Sequence, residues 1–108
     1  MRKFRTFDAM KEGYFLKHPE ELDDFVKIIF EEYARDNDTS ALLASLRTVS
    51  RVKGITAIAA ETGLSRNGIQ KVLSETGNPR FGIINAIMHA MGYSLMPHKL
   101  EHPPHLQA

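Results

Sequence analysis

Gly54-Ile55-Thr56-Ala57-Ile58-Ala59-Ala60-Glu61-Thr62-Gly63-Leu64-Ser65-Arg66-Asn67-Gly68-Ile69-Gln70-Lys71-Val72-Leu73 has the spacing of two short helices joined by a tight turn. Ala59 falls midway along the first helix, where a small side chain lets another helix cross closely. Four residues later Gly63 supplies a backbone that accepts positive φ. Leu64 then turns inward, and Ser65 is a good N-cap whose hydroxyl can accept a free N–H of the second helix. Ile69, Val72 and Leu73 stand at i, i+3 and i+4 and form that helix's buried stripe, as Ile55 and Ile58 do for the first. This is the pattern of a helix-turn-helix, the unit that lays a short helix in the DNA major groove.

The face left over on the second helix carries Arg66, Asn67, Gln70 and Lys71 and no acid. Arginine reads guanine edges, asparagine and glutamine read adenine edges, and lysine usually meets phosphate. Arg66, Asn67 and Gln70 are therefore the candidates for base contacts, with Ser65 at the helix start and Lys71 toward the backbone. An ordinary helix hairpin with a solvated polar face shares the bare pattern; the acid-free outer face behind a serine cap favours DNA.

Outward from this stretch, the composition bounds the rest. The 108 residues suit one domain, and 43% hydrophobic with 25% charged residues is globular rather than disordered. There is no cysteine, which excludes a disulfide framework and a thiolate metal site or nucleophile and fits a reducing cytoplasm. No apolar run approaches the roughly 20 residues a membrane span needs. The charged start Met1-Arg2-Lys3-Phe4-Arg5 has no apolar stretch behind it, so no secretion signal is expected. The net charge is only +1 but is unevenly placed. Between His18 and Asp38 two basic residues face eight acidic ones, while between Ser40 and Arg80 six basic face two acidic. Such a split suggests two faces, one for an anion such as DNA and one for a basic partner.

Residues 1–17 are basic and carry Phe4, Phe7, Tyr14 and Phe15; they read as a loosely packed arm, with Asp8 able to cap a single turn. A helix follows, opened by Pro19 with Glu20 and Glu21 at its positive end. Leu22, Phe25, Val26, Ile29 and Tyr33 repeat at helical spacing, Ile28 and Phe30 widen the apolar arc, and Asn37-Asp38-Thr39 ends the helix. A second helix over about Ser40 to Lys53 buries Leu42, Leu43, Leu46, Val49 and Val52, shows Arg47 and Arg51 on an outer face, and stops at Gly54. Beyond the central hairpin, Asn78 and Pro79 predict the cap and first position of a last helix with Phe81, Ile84, Ile87, Met88 and Met91 buried. Arg80 at its start could reach a phosphate. Tyr93-Ser94-Leu95-Met96 alternates like a short strand, and the proline-broken tail from Pro97 has little to bury and reads as mobile.

Catalytic chemistry is absent from this pattern. His98, His102 and His105 lie on the proline-broken tail without fixed geometry, and His18 and His89 are isolated, so no metal site and no cofactor are expected. Gly54, Gly63, Gly68 and Gly77 are too scattered for a phosphate loop, no serine sits in a nucleophile elbow, and the acids are concentrated on one exposed helix.

Leu46-Arg47-Thr48-Val49-Ser50-Arg51-Val52-Lys53-Gly54, followed by Ala59, Gly63-Leu64-Ser65-Arg66, Val72-Leu73-Ser74 and Gly77-Asn78-Pro79, resembles the probable addiction-module antidote family, HigA-like antitoxins with a lambda-repressor-type (Cro/XRE) helix-turn-helix. The match runs over roughly Ser40 to Leu95, and the acidic helix upstream looks like that family's N-terminal region. Gly68, inside the recognition helix, departs from it at a cost of about 1 kcal/mol against alanine, as does the proline- and histidine-rich end. The resemblance implies an all-α fold, a homodimer, and a neighbouring RelE/HigB-like messenger-RNA endonuclease toxin that the antitoxin blocks while repressing their shared operon. The expected architecture is a compact five-helix lambda-repressor-like domain with an acidic N-terminal helix and a short C-terminal extended segment. Its divisions are an arm and acidic helix over 1–38, a DNA-binding part over 39–96 and a tail over 97–108. DNA contacts are expected at Ser65, Arg66, Asn67, Gln70 and Lys71, and at Arg47, Arg51 and Arg80. Toxin contacts are expected at Glu20, Glu21, Asp23, Asp24, Phe30, Glu31 and Glu32, since an RNA-cleaving toxin should be basic. A stand-alone phage-type repressor, or a protein-interaction module that binds no DNA, would share much of this sequence.

Overall fold

The computed structural model describes residues 2–74 and 76–102, of which 2–8 by backbone alone. Among the described residues six α-helices follow in order: α1 (Arg2–Lys17), α2 (Leu22–Asp36) after a single 3-10 turn at Pro19–Glu21, α3 (Thr39–Lys53), α4 (Ile55–Thr62), α5 (Arg66–Val72) and α6 (Phe81–Ala90). No strand occurs among the described residues. One apolar core runs from Phe15 to Met91. α3 is its axis: Leu43, Leu46 and Val49 are almost wholly buried, and α1, α2 and α4 all pack against α3.

The sixth helix is α1, where an arm was expected. Phe15 docks on Phe25 of α2 with ring centroids 4.8 Å apart, and Tyr14 donates to Glu21 at 2.7 Å while its ring lies 4.4 Å from that of His18. The sequence hides this helix because its apolar residues are spread around the axis: Phe15 is buried but Met10 and Leu16 are exposed. Helix α1 runs through Asp8, so no single turn starts there as expected, because the helix has already begun upstream. The side chains of Phe4 and Phe7 lie outside the described residues.

α2 buries Leu22, Val26 and Ile29, which repeat at helical spacing. It ends at Asn37, which takes the left-handed conformation with φ of 54°. Asp38 then caps α3 by accepting the Ala41 N–H at 3.1 Å. Between α4 and α5 the chain turns at Gly63, whose φ of 77° is open to glycine and strained for larger residues. The Thr62 hydroxyl reinforces the corner, donating to the Ile58 carbonyl at 2.8 Å and accepting from the Leu64 N–H at 3.2 Å. Ser65 caps α5 by accepting the Gly68 N–H at 2.9 Å. Gly68 therefore stands third in α5, within the first turn, and a Cβ there would sit 3.0 Å from the capping hydroxyl oxygen. The glycine that departs from the family pattern leaves room for the cap.

α6 starts later than its sequence suggests. Arg80 occupies the cap position with no side-chain cap, and Asn78 and Pro79 precede the helix as connector. Burial along α6 rises from Phe81, 73% exposed, through half-buried Ile83 and Ile84 to fully buried Ile87 and Met88. The expected burial of Phe81 fails because only the C-terminal half of the helix enters the core. After α6, Tyr93 and Leu95 pack on the core while Ser94 and Met96 face outward. The alternation is that of a strand, but no neighbouring strand pairs with it among the described residues. Residues 97–102 are exposed, and the rest of the expected mobile tail, with His105, lies outside the described residues.

Two glycines should respond oppositely to alanine. At Gly77 a Cβ would lie 2.4 Å from the Val72 carbonyl oxygen, so backbone must shift; Gly77→Ala is expected to lower the unfolding free energy by about 1–3 kcal/mol. Gly13 lies within α1 with open space around its Cβ position, and Gly13→Ala is expected to raise it by up to about 1 kcal/mol. Urea denaturation of the two variants checks both.

Candidate functional site

The outward face of α5 presents Arg66, Asn67 and Lys71, all exposed, beside the exposed Ser65 cap. Ile69 and Leu73 are wholly buried and hold the opposite side of this turn of chain to the core. No acid lies on α5 itself. Arg80, at the start of α6, is also exposed.

Gln70, Arg47 and Arg51 are placed differently from the open outer face expected of them. Gln70 is half-buried and accepts a hydrogen bond from the Arg51 guanidinium through its Oε1 at 3.2 Å. Arg47 is half-buried and donates to the Leu73 carbonyl at 3.1 Å, beyond the last residue of α5. That carbonyl is one of the acceptors a helix end leaves without an intrahelical partner. Arg47 and Arg51 therefore reach from α3 across to α5 and fix how it projects. Spacing along α3 puts them on one face, but only the tertiary arrangement brings α5 to that face.

The acidic surface lies on the 3-10 turn and α2. Glu20, Asp24, Glu31 and Glu32 are exposed, and Phe30 is half-buried against the core. Asp23 is engaged: it accepts the Tyr93 hydroxyl at 2.6 Å, a contact between residues 70 apart in sequence. Burial raises the Tyr93 pKa, and so do its hydrogen bond to Asp23 and that carboxylate's charge. The Lys53 ammonium sits 5.0 Å from the centroid of the same ring. Glu21 is held by Tyr14, whose pKa is raised chiefly by that hydrogen bond.

His18 is not isolated, as its sequence position suggests. Its Nδ1 lies 3.6 Å from Glu20 and 4.0 Å from Glu21, and the three potential ligand atoms fall within 4.8 Å of one another. These groups could meet one divalent ion, but both carboxylates are exposed, and exposed acidic groups commonly stand this close without one.

Comparison with known proteins places the chain. A family model described as "Probable addiction module antidote protein" matches residues 4–99. An uncharacterised protein of Haemophilus influenzae is 29% identical over 69 residues, covering 64% of this chain and 71% of that protein. No solved structure matches.

Two outcomes follow from the side-chain partners. Arg47→Ala removes a charged donor from a half-buried carbonyl and is expected to lower unfolding free energy by roughly 1.5–3 kcal/mol, whereas exposed Arg66→Ala leaves it within about 0.5 kcal/mol. Thermal or urea unfolding of the pair measures this. Tyr93 ionises at higher pH in the folded chain than in the unfolded one, so its contribution is fully present below the ordinary value near 10 and is lost as pH rises past it. The fall in stability through that alkaline range should be steeper for the native protein than for Tyr93→Phe, followed by unfolding at a series of pH values.

Proposed function

This chain belongs to the family of probable addiction module antidote proteins, and we propose that it is the HigA-like antitoxin of a type II toxin–antitoxin module. In this reading it neutralises a RelE/HigB-like messenger-RNA endonuclease and represses its own operon through sequence-specific DNA binding. The observation that carries the DNA half is the exposed, acid-free face of α5, with Arg66, Asn67 and Lys71 behind a serine cap and a left-handed glycine turn. In this reading α4 and α5 form the helix-turn-helix of a Cro/XRE, lambda-repressor-like domain.

Arg66 and Asn67 meet base edges, Lys71 and Arg80 meet phosphates, and Ser65 sets the start of the recognition helix. Gln70 takes part with its Oε1 steadied by Arg51, which leaves its amide hydrogens free for an adenine edge. Arg47 supports from behind. Two subunits read half-sites about one helical turn apart. The toxin half rests on the acidic surface of Glu20, Glu21, Asp24, Glu31 and Glu32, whose charge attracts a basic partner, with Phe30 adding apolar contact. Asp23 contributes less, since Tyr93 holds it.

Gel shifts on the chain's own promoter test the first half. Arg66→Ala and Asn67→Ala are each expected to cost roughly 1–3 kcal/mol on the operator and much less on random DNA. Equal losses on both would remove these residues from sequence readout, and a light-scattering monomer on the operator would remove the dimer. Co-purification with a small basic protein encoded beside it tests the second half. Charge reversal at Glu20, Asp24 and Glu31 should slow that association at low salt, and an unchanged rate would count against the acidic surface.

A further inference from the structure

The C-terminal half of α2 and the first turns of α3 enclose a small groove, open on one side. Its floor is apolar: Ile29 is buried, and Leu42 and the Tyr33 ring are half-buried. Its rim is three exposed carboxylates, Glu32, Asp36 and Asp38. One oxygen of Asp36 accepts the Asp38 N–H at 2.9 Å, and one of Asp38 accepts the Ala41 N–H at 3.1 Å. Among the described residues no lysine or arginine lies within ion-pair distance of these three carboxylates. Asp36 also stands in the last turn of α2, where the helix dipole is negative and an acid is unfavourable. A negative rim above an apolar floor, with no cation paired to it among the described residues, is complementary to a long cationic side chain. Such a side chain lays its methylene stem on apolar surface and keeps its head among polar groups.

We propose that this groove receives one arginine side chain of a basic protein partner. The stem lies over Ile29, Leu42 and the Tyr33 ring, and the guanidinium sits among Glu32, Asp36 and Asp38. This rests on the reading of the acidic surface as the partner-binding side, and it fixes where on that surface the anchor goes. The site is separate from the outer acids Glu20, Glu21 and Asp24 at the other end of α2.

The test is a titration of the isotope-labelled full chain with a hexa-arginine peptide at low ionic strength, followed by backbone amide shifts. Saturable shifts centred on Ala41, Leu42 and Ser45 are expected. The double variant Glu32→Gln, Asp36→Asn should weaken them by roughly tenfold in affinity, an effect of about 1.4 kcal/mol, while Glu20→Gln with Asp24→Asn leaves them in place. Ala41→Arg, a substitution at an exposed position on the rim, supplies an internal guanidinium and should block the peptide in a chain that stays folded. Shifts confined to Glu20, Glu21 and Asp24 would overturn the groove while leaving the acidic surface as a partner site. Absence of shifts anywhere on α2 would overturn both.

Discussion

The bond from Arg47 to the Leu73 carbonyl is the constraint on which the presentation of α5 depends. α5 has only seven residues, too few to be stable alone in water. It persists because Ile69 and Leu73 are buried and because α3 reaches over to it with two guanidiniums. α3 in turn is fixed by Leu43, Leu46 and Val49, almost wholly buried, and by its packing against α1, α2 and α4. The order of dependence runs from apolar burial in α3, through Arg47 and Arg51, to the direction in which Arg66 and Asn67 point.

This order explains which parts of the molecule the sequence reveals. Local signals sit within a few residues of what they specify. Gly63, Ser65 and the i, i+3, i+4 stripe of Ile69, Val72 and Leu73 give α4, the turn and α5 almost to the residue. Gly54 ends α3 in the same way, whereas Asp38, read as part of the end of α2, turns out to cap the start of α3. Long-range partners leave no such trace. Arg47 and Arg51 look like free outer-face cations until α5 is folded against them, and Asp23 looks like its neighbour Asp24 until Tyr93 arrives from 70 residues away. α1 escapes for another reason: its contribution to the core rests on Phe15 among the side chains described, with no periodic stripe to announce it. The same holds for the groove beside α3, which is assembled from the end of one helix and the start of the next.

Tyr93 joins the two sides of the molecule. Its hydroxyl is tied to Asp23 on the acidic surface, and its ring lies under Lys53, one residue before the Gly54 junction that opens α4. Its own N–H is anchored on the Met88 carbonyl of α6. One half-buried side chain thus fixes the chain's exit from α6 against the start of α2 and the end of α3. An expected strand is replaced by this single anchored residue, which needs no pairing partner.

The charges contribute little to holding the fold. His18 lies 3.6 Å from Glu20 and 4.0 Å from Glu21, and surface contacts of this kind give at most about 1 kcal/mol even when charged. Stability comes instead from the apolar core, the helix caps at Asp38 and Ser65, and the glycines at Gly63 and Gly77. Apart from Asp23, which holds Tyr93, the acids of α2 and the cations of α5 are therefore nearly independent of folding. They lie on different helices, and each side accumulates charge of one sign without neutralisation from the other. That arrangement carries a modest self-repulsion on the acidic surface, which the fold tolerates because its core does not depend on those side chains. Charge can then be concentrated on each side to suit an external partner, an anion at α5 and a cation at α2. Arg47 and Arg51 are the exceptions, cations whose charge is spent inside the molecule.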